Sequence, residues 1–540
     1  MIRITELRLP INHAPEALEE AILKRLNLQP QDLIQTEVYK RSYDARKNVA
    51  LAFIYTVDLQ VQDEERVLEQ FSNDIHVLPS PDTSYHFVAH TKQVIPIVHA
   101  ADFQRPVVIG FGPCGIFAAL ILAQMGLKPI VLERGKQVRE RTLDTWNFWR
   151  KNVLNPESNV QFGEGGAGTF SDGKLYSQIK DPKFYGRKVI NEFIKAGAPE
   201  EIRYVAKPHI GTFRLVGVVE KMRQEMIALG GEIRFSKKVI GFHIENNQIK
   251  GVKIEGHDDL AANHVILALG HSARDTFQAL HNAGVYMEAK PFSIGFRIEH
   301  PQSLIDKARL GPHAGNEYTG AADYKLVYHA KNGRSVYSFC MCPGGTVVAA
   351  ASEQHRVVTN GMSQYSRNER NANAGIVVGI TPADYPGGPL AGIEFQRALE
   401  SRAYELGGST YDAPGQLVGD FLVGKPSTKF GSVMPSYKPG VHLTDLAKCL
   451  PAYAIEAIRE AIPAFEKQIK GYSIGDAVLT GVETRTSSPL RITRGANFQS
   501  MNIKGLYPAG EGAGYAGGIL SAGVDGIKVA EAVALNYLSK

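Results

Sequence analysis

Gly110, Gly112 and Gly115, spaced G-x-G-x-x-G in RPVVIGFGPCGIFAALILAQMGLKPIVLERG (105–135), are the residues whose types and spacing most directly imply chemistry. The first glycine permits a tight turn, the second lets bare backbone approach a pyrophosphate, and the third lets helix and strand pack closely. Pro113 and Cys114 fill the positions between, Cys114 as a small side chain that fits the turn. The helix that follows aims free N–H groups and its positive dipole end at phosphate oxygens. Glu133, 23 residues after Gly110, ends the next strand with Arg134 beside it. A carboxylate there accepts hydrogen bonds from ribose hydroxyls. Together these residues predict a bound dinucleotide.

Such a cradle needs a strand before the glycines and a helix after them. Residues 107–109 read as a short buried strand, 116–125 as a helix and 129–132 as a second strand. Residues 107–127 also carry no formal charge for 21 positions, about the length of a membrane span. The glycines and Pro113 crowd the first third of that run, so strand, turn and buried helix account for it and no membrane is expected.

GAGTFSDGKL (166–175) nearly spells a triphosphate loop. Gly168, Gly173 and Lys174 fit, but Leu175 stands where a magnesium-binding Ser or Thr is needed. That loop must also follow a buried strand and open a helix. LNPESNVQF before it is polar, and LYSQIKDPK after it soon reaches Pro182. Neither flank suits ATP.

The chain has 540 residues, 44% hydrophobic and 21% charged, an ordinary soluble composition with room for two or three domains. A net charge of +5 permits an anionic ligand without demanding nucleic acid. Four cysteines, Cys114, Cys340, Cys342 and Cys449, make no disulfide framework, and the N-terminus is charged where a signal peptide is apolar. A reducing cytoplasm is the expected compartment. Residues 1–95 read strand-helix-strand-strand-helix-strand, a ferredoxin-like order, with the last strand at SYHFVAH (84–90). KRSYDARKN gathers Lys40, Arg41, Arg46 and Lys47 between the two middle strands. The aromatic RNA-binding signature is missing and Asp44 dilutes the charge, so a solvated hairpin tip is expected before a nucleic-acid contact.

GLYPAGEGAGYAGGILSAGVDGIKVAEAVALNYL (505–538) reads as a strand, Gly510-Glu511, a glycine-rich turn and a long helix. It resembles the C-terminal motif of two-dinucleotide-fold flavoproteins, where the acid after the strand binds the ribitol of FAD. Carried over, Glu511 takes the ribitol, while Gly518, Ile519 and Leu520 point N–H groups at the flavin edge. NHVILALGHSARDTF (263–277) resembles the strand that closes the adenine side, implicating Ala268, Gly270 and Arg274, with Leu269 in place of the usual Thr. Val239 of SKKVIGFHI would offer backbone groups to adenine. With KPFSIGFRIEHP, CMCPGG, NGMS and GVETRTSSPLRI added, nearly the whole chain resembles the uncharacterised bacterial FAD-dependent dehydrogenase family, the "NAD(FAD)-utilizing dehydrogenase" type. The resemblance implies noncovalent FAD in a Rossmann-like α/β domain with a parallel sheet and a glutathione-reductase-like FAD fold. It also implies an inserted α+β substrate domain, beside the ferredoxin-like module. The boundaries are 1–95 for the module, 103–289 and 481–540 for the two parts of the FAD domain, and 290–480 for the insertion. Gly165, Gly166, Ala167, Gly168, Thr169 and Ser171 would then pass along pyrophosphate, ribitol and ring, with Lys174 close by. On that reading the near-triphosphate loop holds FAD.

Flavin supplies hydride chemistry, and the protein positions the substrate. His271 and Arg485 are the candidate catalytic residues, Arg485 as a bidentate clamp on a substrate carboxylate or phosphate. A structural ion pair of Arg485 with Glu483 or another acid is the alternative. Cys340-x-Cys342 reads as two free buried cysteines, since a metal needs more ligands and flavin disulfide reductases carry theirs beside the first dinucleotide fold. No metal is expected. There is no second G-x-G-x-x-G unit, so NADH or NADPH would visit the ring transiently from the substrate side. The expected function is an FAD-dependent oxidoreductase acting on a small, anionic, unidentified substrate. Its rivals are a flavin-dependent RNA-modifying protein and a non-catalytic flavin-binding assembly protein.

Overall fold

The computed structural model describes residues 1–45 and 50–539. Strand β1 (Ile2–Pro10), helix α1 (Ala17–Leu26), β2 (Leu33–Asp44), β3 (Ala52–Val61), α2 (Glu64–Gln70) and β4 (Val77–Pro79) form the N-terminal unit. Its antiparallel sheet runs β2-β3-β1-β4, the ferredoxin-like arrangement. Strand β4 lies earlier than the sequence pattern placed it. Residues 84–90 join no ladder and pack sideways instead: the Tyr85 ring meets Phe87 edge-on, and its hydroxyl donates to Glu531 at 2.9 Å. Of the basic cluster at 40–48, Arg46 and Lys47 lie outside the described residues. Arg41 turns inward, its guanidinium 4.6 Å from the Phe53 ring and 5.1 Å from that of Tyr204.

After α3 (Thr91–Val98) come β5 (Val107–Ile109), α4 (Pro113–Gln124), β6 (Ile130–Leu132), α5 (Val138–Lys151), α6 (Tyr185–Lys195), α7 (Thr212–Ala228) and β7 (Glu232–Arg234). A three-stranded antiparallel sheet follows, β8 (Val239–Glu245), β9 (Gln248–Ile254) and β10 (Leu260–Ala261), then β11 (Val265–Leu267) and α8 (Arg274–Asn282). Strands β5, β6 and β11 are buried on both faces, as a sheet covered by helices on either side requires. Helix α4 opens with Pro113 at its first turn and is apolar on every face, so it occupies the interior. Among the described residues no helix is long and apolar enough to cross a membrane.

The insertion begins with β12 (Glu288–Ala289), β13 (Phe292–Pro301), α9 (Gln302–Leu310), β14 (Val327–His329), β15 (Ser335–Ala349), β16 (Thr359–Ser363) and β17 (Asn371–Ile380). It continues through α10 (Ala391–Leu406), β18 (Ala413–Leu417), α11 (Val418–Val423), β19 (Val441–Leu443), α12 (Ala452–Glu466) and β20 (Val478–Glu483). Its large sheet runs β14-β15-β17-β13-β20-β18-β19, with β16 on β15. The chain then returns through β21 (Leu490–Arg491) and β22 (Leu506–Pro508) to the terminal helix α13 (Ile519–Leu538). Strand β22 completes the parallel sheet β22-β11-β5-β6-β7. Helix α13 crosses tightly over α4, since a Cβ on Gly526 would stand 2.3 Å from the Cys114 carbonyl oxygen. That crossing brings two helix N-termini to one place.

Candidate functional site

One elongated cavity of about 570 Å³ runs from the carboxyl ends of β5 and β6 to the inner face of the inserted sheet. Its near end is lined by Glu133, Arg134, Lys237, Lys238 and Val239, its middle by Gly110 to Cys114 and by Gly166 to Gly168. At the far end stand Ser171, Lys174, Phe339, Cys340, Thr486 and Glu511.

The glycine turn is built as the sequence predicts. Gly110 has φ +98°, and a Cβ there would lie 2.6 Å from the Ala268 carbonyl oxygen. A Cβ on Gly115 would lie 1.9 Å from the Gly110 carbonyl oxygen, so β5 and α4 could not keep their spacing. Gly112 packs backbone to backbone on Gly166, whose own Cβ would come within 2.8 Å of the Gly112 Cα. The first N–H groups of α4 have no acceptor inside the helix and open on the cavity, as do those of α13 from Ile519 on, the Gly518 N–H being taken by the Ser521 hydroxyl at 3.1 Å. Two positive helix ends in one narrow space suit a pyrophosphate and a reduced flavin edge, so the residues present fit FAD.

Glu133 organises this turn as well as facing the cavity. One oxygen accepts the Phe111 N–H at 2.8 Å, the other those of Gly135 and Gly163 at 2.8 and 3.0 Å. A carboxylate offers about four acceptor positions, so one remains for a ribose hydroxyl. Arg134 lines the cavity while donating to Glu157 and, with both terminal nitrogens, to Asp275. Gly165, Thr169 and Gly115 lie just behind the wall. Gly510 does too, at φ +69°, with Cys114 2.9 Å from where its Cβ would stand. Leu520 faces an adjoining hollow and not the main cavity.

Three of the sequence assignments change. Arg274 turns away from the cavity and pairs with Glu400 on α10, at 2.7 and 2.9 Å, and with Glu353. Arg485 reaches the cavity wall, but the bidentate position assigned to a substrate anion is filled by the same Glu400, at 3.1 and 3.0 Å. Its third nitrogen donates to the Ser272 and Ser352 hydroxyls at 2.9 and 2.6 Å. Glu483, the acid named as a partner from sequence, is taken by Arg297 instead. His271 lines the cavity with Nδ1 2.9 Å from the Ser272 hydroxyl. Burial, with Arg485 and Arg274 nearby, pushes it down to about 3, so it stands there as a neutral imidazole and supplies no cation.

Several supporting residues carry no local sequence signal. Buried Arg141 on α5 donates to the carbonyls of Asn159, Val160 and Glu164, each at 2.7 Å, and so holds the loop that leads to Gly165. Asp525 of α13 accepts Arg494 at 2.6 and 2.9 Å and the Gly510 N–H at 2.8 Å, fixing the turn before Glu511. A second hollow, about 400 Å³, shares Tyr176, Glu511, Gly517 and Gly518 with the cavity. Lys290 enters it, its ammonium making long contacts of 3.4, 3.5 and 3.5 Å to the Ser487 hydroxyl and to the Ser488 and Pro291 carbonyls. Lys290 is the first residue of the KPFSIGFRIEHP segment singled out from sequence. Burial pushes the Glu511 carboxyl up to about 8, Lys290 only partly opposing it.

The comparisons with known proteins agree with this cavity. The family model described as "FAD-dependent protein, C-terminal domain-like" matches residues 291–486, and a domain of unknown function matches 1–60. An "Uncharacterized protein" of Clostridium beijerinckii is 48% identical over 532 residues, 98% of each chain. Solved structures resemble the chain only distantly. Halogenase PltM in complex with phloroglucinol and FAD is 12% identical, over 79% of this chain and 67% of that one, at a TM-score of 0.35. Glycine oxidase from Bacillus cereus is 12% identical over 80% and 96%, at 0.30. L-proline dehydrogenase from P. horikoshii is 15% identical over 80% and 94%, at 0.32. Matched along almost its whole length by the Clostridium protein, the chain belongs to one family with it, and its residues 291–486 match the FAD-dependent model.

Proposed function

We propose that this flavoprotein is an oxidoreductase that passes hydride between noncovalently held FAD and a small anionic substrate seated in the hollow beside Glu511. The observation that carries the reading is the sharing of Tyr176, Glu511 and Gly517–Gly518 by the two spaces, with Lys290 on the far side. FAD, when bound, supplies the two-electron chemistry. Lys290 orients the anion, and the N-terminus of α13 adds positive potential to the same place. Glu511, protonated up to about pH 8, holds a proton at the boundary of both spaces. Arg485 and His271 act differently from the sequence assignment, as the wall that fixes Ser272. A reduced nicotinamide dinucleotide is the donor class that fits a chain with one dinucleotide turn, entering and leaving by the same hollow.

The test is anaerobic reduction of the FAD-loaded protein by NADH and NADPH, followed by reoxidation with carboxylate- and phosphate-bearing acceptors. Bleaching of the visible flavin band and its recovery by an anionic acceptor are expected. Lys290→Met should retain full flavin and slow the recovery by at least about tenfold, the loss of one charge-assisted contact. A flavin that no donor reduces would leave the non-catalytic reading standing.

A further inference from the structure

Strand β15 is broken where it meets the cavity. Its register against β17 slips between Phe339 and Cys342 and again before Gly345. Cys340 sits at the break with φ +42°, a left-handed backbone that a residue with a Cβ rarely adopts and that collects at functional sites. The break places Cys340 on the cavity wall, while Cys342 is fully buried behind it with its sulfur 3.4 Å from the Cys340 carbonyl oxygen.

Several charged side chains meet at this point. Arg297 donates to both oxygens of Glu483, at 2.9 and 3.2 Å, and to the Cys340 carbonyl at 2.8 Å. Arg367 takes both oxygens of Asp172, at 2.9 and 2.5 Å. Lys174 reaches the same Asp172 at 3.2 Å and donates to the Met341 carbonyl. Asp323 also lies near Arg367, and Glu511 faces Cys340 on the cavity wall, so it is Lys174 and Arg297 that favour an anionic sulfur there. The Cys342 thiol first, then Lys174 and Arg297, draw the Cys340 thiol well below its usual range against the opposing effect of burial. The neighbouring thiol and burial hold Cys342 well above that range. Cys114 and Cys449 are buried and pushed up, so Cys340 is distinguished from the other three.

We propose that Cys340 and Cys342 form a dithiol–disulfide pair at the far end of the FAD cavity, and that a small anionic disulfide is the substrate they reduce. The proposal rests on the reading of this flavoprotein as passing electrons to an anion, and places the transfer at the end of the cavity beside Glu511, where the hollow adjoins it. The Cys340 sulfur attacks one sulfur of the substrate, whose S–S bond breaks, and a first product leaves as a thiolate. The Cys342 sulfur then attacks that of Cys340, the Cys340–Cys342 bond forms, and the second product leaves with the Cys342 proton. Two electrons pass from the pair to the substrate, and FAD reduced by a nicotinamide dinucleotide is the class of donor that restores them. Two residues along an extended strand are about 6.6 Å apart, inside the span of roughly 4.4–6.8 Å that a disulfide bridges. The nucleophile's partner thiol two residues away is what favours a disulfide over any other electrophile, since another electrophile would leave Cys342 without a part in the chemistry.

The experiment treats FAD-loaded protein with glutathione disulfide and reads peptide masses over 340–342. The wild type should lose two hydrogens in that peptide. Cys342→Ser should instead carry one glutathione on Cys340, and Cys340→Ser should leave Cys342 unmodified. Lys174→Met should move the pH at which the reaction develops upward, since the variant loses a cation that favours the Cys340 thiolate. Retention of both thiols in the wild type would overturn the proposal. So would equal labelling of Cys114 or Cys449, or a Lys174→Met protein with the wild-type pH profile. The visible flavin spectrum reports whether each variant holds its cofactor, and the wild-type and Lys174 arms stand if a cysteine variant does not fold. Reduction of the flavin by NADH or NADPH is read separately, so a negative result here leaves the oxidoreductase reading untouched.

Discussion

Replacing Glu400 by Gln should destabilise the junction between the FAD domain and the insertion by about 4 kcal/mol, within the 3–5 kcal/mol typical of breaking a buried ion pair. Glu400 is fully buried on α10 and accepts four bonds from two arginines, Arg274 at 2.7 and 2.9 Å and Arg485 at 3.0 and 3.1 Å, and a fifth from the Thr484 hydroxyl at 2.8 Å. Burial alone would raise its pKa, but Arg274 and Arg485 overcome that and hold the carboxylate well below its usual range. Gln keeps the volume and one acceptor, yet leaves two buried guanidinium groups facing an amide that is itself a donor. The assay is urea unfolding at saturating FAD, followed by tryptophan fluorescence. Both tryptophans lie on α5, and the Trp149 indole donates to the Ala349 carbonyl at 2.9 Å, so the signal reports separation of the two units. The expected result is a lower midpoint at unchanged slope. The sign with pH follows from the lowered pKa: the stabilisation is complete above the ordinary glutamate value of 4.5 and is lost only as pH falls through the folded value. The difference between the proteins should therefore be flat from neutral pH down to that value and narrow in stronger acid. A loss under about 1 kcal/mol, the scale of an exposed pair, would refute the reasoning.

Gly115→Ala should lower flavin content and stability together, since its Cβ meets backbone atoms at 1.9 and 2.9 Å that no rotamer change can relieve; overpacking of this kind costs about 1–3 kcal/mol or more. The ratio of flavin to protein absorbance checks it, and an unchanged ratio would place the phosphate turn elsewhere. Glu511→Gln should flatten the pH dependence of the thermal midpoint. The folded protein keeps a proton to about pH 8 that the unfolded chain releases near 4.5, so the wild type should lose stability as pH rises between those values. Parallel curves for the two proteins would contradict a buried, protonated Glu511.

What could be read in the sequence is what short stretches of chain encode alone. Residues 105–135 specify a strand, a glycine turn, a helix and an acid, and every part stands where its neighbours require. The stretch 166–175 could be denied to ATP because its flanks lack a strand and a helix, and it does fold as a single tight turn, Ala167–Phe170, against Gly112. The arginines were different. Arg274 and Arg485 meet their carboxylate 126 and 85 residues away, on a helix of the inserted domain, and nothing near either residue in the chain encodes that partner. The segment 84–90 misled for a related reason. Its aromatic residues do form a buried face, but the face lies against Tyr185 and α13, where no strand offers a ladder.

The same division bears on where specificity resides. The glycine turns and two helix ends that suit FAD come from the parallel sheet and its helices, whereas the far wall of the cavity comes largely from elsewhere. Phe339 and Cys340 arrive from β15 and Asn360 from β16, and in the adjoining hollow Lys290 comes from the entry to β13. Lys174 belongs to the cofactor half, yet it is tied to the insertion through the Met341 carbonyl. Substitutions on β15 and at Lys290 should therefore change which substrate reacts while leaving the flavin in place, and substitutions in the glycine turn should do the reverse. A Phe339 or Lys290 variant that lost FAD as readily as Gly115→Ala would mean that the insertion is part of the cofactor cradle itself, and that substrate and cofactor recognition cannot be separated in this fold.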